Sequence, residues 1–354
     1  CYDKEGEMNI LEKRLDFRSD TVTLPTDRML EEINRAELGD DVYGDDVSTN
    51  KLETLASKIL GKEDGLFVPT GTMGNLIAVM THTRPGQEII LEQTCHIYIY
   101  EVAGIARLAN VQAKLIKGND GVMDPVDIKN AIRKENIHFP ETGLIAMENT
   151  HNVAGGMVIP LNNMEKISEI ARENKIPVHL DGARIFNAAH HLNVDVKEIA
   201  KYADSVMFCF SKGLGAPVGS MLVGDYNFIS RARKYRKMLG GGMRQVGIIS
   251  SAAIVALEEM VERLPYDHEN AKLLGELLNQ NGKIIVETQK IHTNIINVDF
   301  SNSGINASKL LLEFKKNGLL VTASNEHIIR FVTHKDISRQ DVIDAANIVN
   351  KIIK

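Results

Sequence analysis

The chain has 354 residues, 44% hydrophobic and 25% charged, which is the composition of an ordinary globular protein too long for one simple core. Its 41 Lys and Arg against 47 Asp and Glu leave a net charge of −6 with no long basic run, which argues against nucleic acid and anionic membranes as partners. No apolar stretch reaches the length of a membrane span and the opening CYDKEGEMNILEK has no apolar signal core, so a soluble, cytoplasmic protein is expected. Cys1, Cys95 and Cys209 are an odd set without C-x-x-C spacing; neither a disulfide framework nor a metal site is read from them.

Residues 1–15 read as an N-terminal extension, and those before Met8 as an added or processed start. DFRSDTVTLP, residues 16–25, forms a polar arm without helical period. Thr26 then has the look of an N-cap for a helix running to about Leu38, where Gly39 ends it. A glycine- and acid-rich loop, Gly39 to Asp46, leads to a helix from about Asn50 to Leu60 with Gly61 as its C-cap. Leu66 to Pro69 is a short strand, and Thr70-Gly71-Thr72-Met73-Gly74-Asn75 opens a helix to about His82. There follow strand 88–92, helix 98–109, strand 113–117, helix 125–135 with Asp124 as cap and Pro125 at its first position, strand 143–148, helix 163–174, strand 177–181, helix 183–192 and strand 206–210. Such alternation predicts an α/β fold whose largely parallel sheet carries helices on both faces, here a large domain over 16–265 that includes the arm. Helical pattern fills 227–281 apart from Gly240–Gly242 and Pro265; then come strand 293–300, helix 306–316, strands 318–323 and 328–333, and helix 338–353. This last stretch reads as a small α+β domain over 266–354.

The chemistry begins at the apolar strand Val206 to Phe210, which stops at Ser211-Lys212-Gly213. In an open α/β sheet ligands bind at the carboxyl ends of the strands, so Lys212 sits where an amine partly out of water can condense with an aldehyde. Thirty-one residues upstream, Pro177 to Asp181 is a second apolar strand ending in a carboxylate. An amine and a carboxylate on neighbouring strand ends suit pyridoxal phosphate: the lysine takes the aldehyde, and the aspartate keeps the pyridine nitrogen protonated so that the ring accepts electrons. The glycines and hydroxyls of 70–75 expose backbone N–H groups at a helix N-terminus, a way to hold a phosphate. That segment is neither a GxGxxG nor a Walker sequence, so a nucleotide is the weaker expectation. His82, His190 and His191 read as structural or surface residues, and His179 shares a strand face with Asp181. Lys62 and Lys117 have no aspartate to pair with in sequence.

Seven stretches, Arg18–Thr23, Gly39–Gly44, Phe67–Asn75, Glu148–Asn152, His179–Arg184, Phe210–Gly213 and Met238–Gln245, together resemble the L-threonine aldolases, and more closely their low-specificity and L-allo-threonine branch. The resemblance covers almost the whole chain from about residue 15 and is far more specific than any one motif. It implies the aspartate-aminotransferase fold of pyridoxal-phosphate enzymes (fold type I), a homotetramer built from close dimers with active sites at the dimer interface, and retro-aldol cleavage of L-threonine or L-allo-threonine to glycine and acetaldehyde. On the same ground Lys212 is the lysine that condenses with the cofactor, Asp181 the pyridinium partner, and Gly71 and Thr72 the phosphate contacts. Arg244 would reach a phosphate across the dimer interface. Ser19, Arg184 and Arg330 would clamp the substrate carboxylate, Arg184 lying against the cofactor as well. His96 would stack on the cofactor ring and is the first candidate for the base at the β-hydroxyl, with His138 or an ordered water as alternatives; His138 and Tyr43 would lie near the substrate's hydroxyl. Rival readings are another pyridoxal-phosphate lyase of this fold, β-eliminating or of the serine hydroxymethyl type, and a non-catalytic cofactor-binding sensor.

Overall fold

The computed structural model describes residues 14–354, so the extension expected over 1–15 lies almost wholly outside the described residues. The chain forms two compact units: Thr23–Pro265, and the segment up to Val22 joined with Tyr266–Lys354.

In the larger unit, β2 (Asp64–Val68), β3 (Glu88–Glu92), β4 (Gln112–Ile116), β5 (Thr142–Glu148), β6 (Val178–Asp181), β7 (Ser205–Cys209) and β8 (Ser220–Gly224) form one sheet in the order β2-β8-β7-β6-β5-β3-β4. Neighbours run parallel except where β8 lies antiparallel to both β2 and β7. Strand β8 is the one sheet member the pattern reading did not separate. It follows the lysine turn so closely that SMLVG returns directly alongside β7 instead of crossing over.

Eleven helices lie within this unit: α1 (Asp27–Arg35), α2 (Val47–Leu60), α3 (Gly71–His82), α4 (His96–Ile99), α5 (Gly104–Arg107), α6 (Pro125–Ala131), α7 (Leu161–Glu173), α8 (Ile185–Leu192), α9 (Val196–Ala200), α10 (Tyr226–Met238) and α11 (Gly247–Glu259). Alternate strand residues feed two cores. Ile90, Ile145, Val206 and Phe208 pack with Ile128, Met164, Ile185 and Ala252 from helices on one face. Ile89, Leu91, Leu144 and Ala146 pack with Leu76 and Val79 of α3 on the other, beside Met207, which packs with Ile77. Both faces of a parallel sheet are thus dry, as βαβ connections require. Thr26 accepts from the Met29 N–H, Thr70 from the Met73 N–H and Asp124 from the Val126 N–H, each capping the helix it precedes. The helix expected over 98–109 is instead α4 and α5, broken where Val102 and Ala103 adopt φ of 54° and 56°, a left-handed conformation no helix continues through. Helix α6 stops at Ala131, short of the expected 135.

The smaller unit opens with β1 (Leu15–Asp16), which pairs in parallel with β10 (Leu319–Leu320). An antiparallel sheet of β11 (Thr322–Ala323), β12 (Ile328–Val332) and β9 (Ile295–Asp299) packs with α12 (Leu264–Asn279), α13 (Ala307–Lys316) and α14 (Arg339–Ile352) through Leu274, Leu278, Leu310, Phe314, Val342 and Val349. The arm was expected to belong with the large domain. Its first residues belong here: Phe17 is fully buried and meets Phe331 edge-on, centroids 6.1 Å apart. Alternation within Leu15-Asp16-Phe17 is a strand signal too short to stand out beside the polar residues that follow. Among the described residues, no helix is long and apolar enough to cross a membrane.

Candidate active site

Strands β6 and β7 run side by side, so their carboxyl ends bring Asp181 and the Lys212 turn to the same edge of the sheet. Both residues line one cavity of about 290 Å³, with Pro69, Thr70, Gly71, Thr72 and Asn75 from the start of α3, His96 from α4, and Gly219 at the return into β8. The turn is held by its own backbone: the Phe210 N–H donates to the Gly219 carbonyl at 3.1 Å, Gly215 to Lys212 at 2.8 Å and Ala216 to Phe210 at 3.0 Å. Gly219 is required there, since it has φ +103° and a Cβ would stand 2.5 Å from the Phe67 ring.

Asp181 is buried, and its carboxylate accepts the Asn75 side-chain amide at 2.8 Å and the Ala183 N–H at 3.1 Å. The same Asn75 nitrogen donates to Glu101 at 2.8 Å, and Glu101 also takes the His96 Nδ1 at 3.0 Å. Polar atoms of His96, Glu101 and Asp181 all lie within 4.8 Å of one another. Burial raises the Glu101 carboxyl, with the Asp181 charge adding to it, against the pull of the His96 and Asn75 hydrogen bonds. Burial on its own would lower His96, but its bond to Glu101 and the Asp181 charge outweigh that, and the imidazole is held above its ordinary value. The backbone N–H of His96 is fixed in turn by Glu148 at 2.5 Å, across from Asp181 on β5.

Beside this group, His151 meets Glu92 at 3.1 Å. Burial would raise Glu92, yet the hydrogen bonds from His151 and Thr94 bring it down to about 2. His151 thus serves the β3 end of the sheet, while Asn152 gives its N–H to Glu148 at 2.8 Å.

The structure gathers Lys212, Asp181, Gly71, Thr72 and His96 around one cavity, and it leaves other expected residues elsewhere in the chain. His138 lies exposed in the loop that enters the amino end of β5, at the sheet edge opposite Asp181, and does not line this cavity. Its place follows from topology: the segment before a parallel strand meets the edge away from the strand's carboxyl end. Tyr43 is 79% exposed on a short 3-10 turn. Arg244 donates to Asp40 at 3.1 Å rather than into the cavity. Arg184 is buried in the turn after β6. Ser19 and Arg330 belong to the smaller unit, Ser19 just before a 3-10 turn that it braces by accepting the Thr21 N–H at 3.2 Å, and Arg330 in the middle of β12 opposite Asn297. Two residues the pattern reading passed over are Glu101 and Asn75. Asn75 lay inside a phosphate-loop motif read for its glycines. Glu101, five residues after His96, fell inside the helix expected over 98–109, and a continuous helix there gave no sign that it turns back to His96.

A family model described as Beta-eliminating lyase matches residues 16–301. Low-specificity L-threonine aldolase 1 of Arabidopsis thaliana is 47% identical over 335 residues, 93% of this chain and 94% of the relative. The chain belongs to the L-threonine aldolase family. Low specificity L-threonine aldolase of Escherichia coli (strain K12) is 42% identical over 94% of this chain and 97% of its own. Among solved structures, a threonine aldolase of Leishmania major superposes with a TM-score of 0.82 at 20% identity, covering 96% of this chain and 99% of that one, a likeness of fold.

Membership of a family of pyridoxal-phosphate lyases with this fold implies that cofactor, and the cavity suits it. It offers a primary amine, a carboxylate that accepts from two N–H donors, an imidazole, and the N-terminus of a twelve-residue helix, which are the complements of an aldehyde, a protonated ring nitrogen, a flat ring and a phosphate. At Gly71 a Cβ would stand 2.9 Å from the Cys209 sulfur, so the helix end approaches the sheet closely enough to aim its N–H groups into that space.

Proposed function

We propose that this threonine-aldolase relative cleaves L-threonine and L-allo-threonine by a retro-aldol reaction to glycine and acetaldehyde, with pyridoxal phosphate as cofactor. The observation that carries the reading is that Lys212 and Asp181 open into one cavity together with the amino end of α3. Bound pyridoxal phosphate supplies an aldehyde for an amine and a conjugated ring that takes up the electron pair of the broken Cα–Cβ bond. Lys212 provides the amine. Asp181, held by Asn75 and the Ala183 N–H, provides the negative charge against which a protonated ring nitrogen is stable. Gly71 and Thr72 take the phosphate. Arg184 is assigned to the substrate carboxylate, as are Ser19 and Arg330 on the resemblance alone; a fixed carboxylate decides which bond at Cα is broken.

His96 is assigned the β-hydroxyl proton. Its Nδ1 is tied to Glu101, which leaves Nε2 as the nitrogen that can take it. His138 has no place in the cavity of its own chain, and this supports His96 over it. Self-association is part of the reading, as a homotetramer in which Arg244 and Tyr43 serve a neighbouring copy. Its support is a group of exposed apolar side chains, Leu38, Val42, Tyr43, Val47 and Ile248, around the loop where Asp46 accepts from the Gly39 and Gly247 N–H groups. A cytoplasmic setting is proposed with it.

Incubation with L-allo-threonine, then L-threonine, is the test. Acetaldehyde and glycine in equal amounts are expected. Ammonia with a keto acid would mean β-elimination and overturn the reading.

A further inference from the structure

Asn75 donates from one amide nitrogen to two carboxyl groups, Asp181 and Glu101, each at 2.8 Å. A flipped amide would set its oxygen against both, so the orientation is fixed by charge. The amide oxygen then faces His179 Nε2 at 3.1 Å, and that nitrogen must carry the hydrogen. A neutral His179 can only accept at Nδ1, where the Ser205 hydroxyl stands at 2.9 Å and must donate. The Ser205 oxygen is left to accept from His82 Nε2 at 2.8 Å. One assignment satisfies all five contacts, and every donor in it points from α3's far end toward Asp181. His82 is itself stacked on Phe228 with centroids 4.5 Å apart. Burial lowers His179 to about 4 and His82 to about 3, so both are the neutral rings this chain of donors needs.

We propose that His179 and Ser205, with His82 behind them, are positioning residues that lock the Asn75 amide and so hold Asp181 as the carboxylate that faces the cofactor's ring nitrogen. The proposal rests on the reading of the cavity as a pyridoxal-phosphate site. Other charged and titratable groups face Asp181 as well: Glu101 and His96 after β3, Glu148 and His151 at the end of β5, and Lys212 after β7. None of these touches the Asn75 oxygen; the two carboxylates set which way the amide faces, and His179 is the group that holds it there from the oxygen side. Without the lock, the amide keeps its nitrogen toward the carboxylates but is free to tilt off Asp181, which leaves that carboxylate less firmly aimed at the ring N–H.

The test uses loaded wild-type protein and the variants His179→Leu, His179→Gln and Ser205→Ala, reading cofactor dissociation and the pH titration of the bound cofactor's visible absorbance. His179→Leu is expected to weaken cofactor binding by about tenfold and to move the titration midpoint, as loss of a group that orients a ligand's direct partner does. In His179→Gln the amide nitrogen reaches the place of the imidazole Nε2 and restores a donor, so both readings return to within about twofold of wild type. Ser205→Ala falls between. A His179→Leu protein that binds and titrates like wild type overturns the proposal, as does a His179→Gln protein no better than His179→Leu, which would make the residue a packing element only. If wild-type protein takes up no cofactor, the reading of function fails separately. Nitrogen-15 spectra of histidine-labelled, unloaded protein then decide the lock: a proton on His179 Nε2 supports it, and a proton on Nδ1 overturns it.

Discussion

The two edges of the central sheet each carry a cavity lined in part by lysine, and they differ in what their charges are doing. At the amino edge, about 640 Å³ is lined by Lys62, Arg172, Lys175, Lys201, Asp204 and Asp225 among others, more than twice the space at the carboxyl edge. There Lys62 donates to the Ala203 carbonyl at 2.5 Å, Asp204 accepts the Val178 N–H at 2.7 Å, Asp225 caps α10 through the Phe228 N–H at 2.7 Å, and Lys201 pairs with Glu198 at 2.7 Å. Each of these is occupied with a partner in the framework around it. At the carboxyl edge the groups are aimed inward: α3 points its N-terminus, β6 its carboxylate and β7 its amine at one volume. Size alone would choose the wrong edge. Burial even lowers the Lys62 amine, with Asp204 and Asp225 opposing, so a desolvated lysine is not enough either. What separates the two is convergence of complementary charges on a space none of them fills.

The sharpest way to break this contrast is to remove the amine on each side. Lys212→Ala is expected to cut turnover by on the order of a thousandfold or more, because the nucleophile itself is gone; steady-state release of acetaldehyde measures it. Asp181→Asn keeps the shape and removes the charge. A fall in kcat/KM of about a hundredfold is expected, the scale of losing one preorganised electrostatic contact. Glu101→Gln acts one residue further out. Since the Glu101 carboxylate helps hold His96 above its ordinary value, its loss should lower that value, move the acid limb of the pH–rate profile to lower pH and reduce kcat by about tenfold.

Acid stability distinguishes the edges in a different way. His179 and His82 titrate near 4 and 3 when folded, against about 6.5 for an unfolded histidine. Between about pH 4 and 6.5 the unfolded chain therefore binds more protons, so stability rises with pH across that window, is complete above it and is lost on acidification. Denaturant midpoints at pH 7 and pH 5 should show this, and His179→Gln should remove part of the difference. Smallest of all, Lys62→Met should leave turnover within about twofold of wild type, as a lysine that only ties two loops at the far edge would.

Much of this architecture could be read from residue order because its signals are local. Thr26, Thr70 and Asp124 announced their helices, Pro125 sat where a first helical residue should, and the apolar runs before Asp181 and Lys212 placed both at strand ends. What escaped depends on contacts between distant segments. The antiparallel return of β8 is set by a turn whose geometry needs Gly219 at positive φ, which pattern does not reveal. Phe17 joins a core built almost entirely from residues beyond 266. Glu101 becomes visible only when the chain breaks at Val102 and Ala103 and swings it beneath His96. The amide of Asn75 ties α3 to a strand more than a hundred positions away, with His179 at its oxygen and Asp181 at its nitrogen. Conversely, His138 was named on the family resemblance alone, and the direction of β5 then put it at the other edge.

The most direct test of the central claim is borohydride reduction of the pyridoxal-phosphate-loaded protein followed by peptide mapping of the modified lysine. A single label on Lys212 is the expected result. A label on Lys62, or one scattered over surface lysines with Lys212 unmodified, would contradict it.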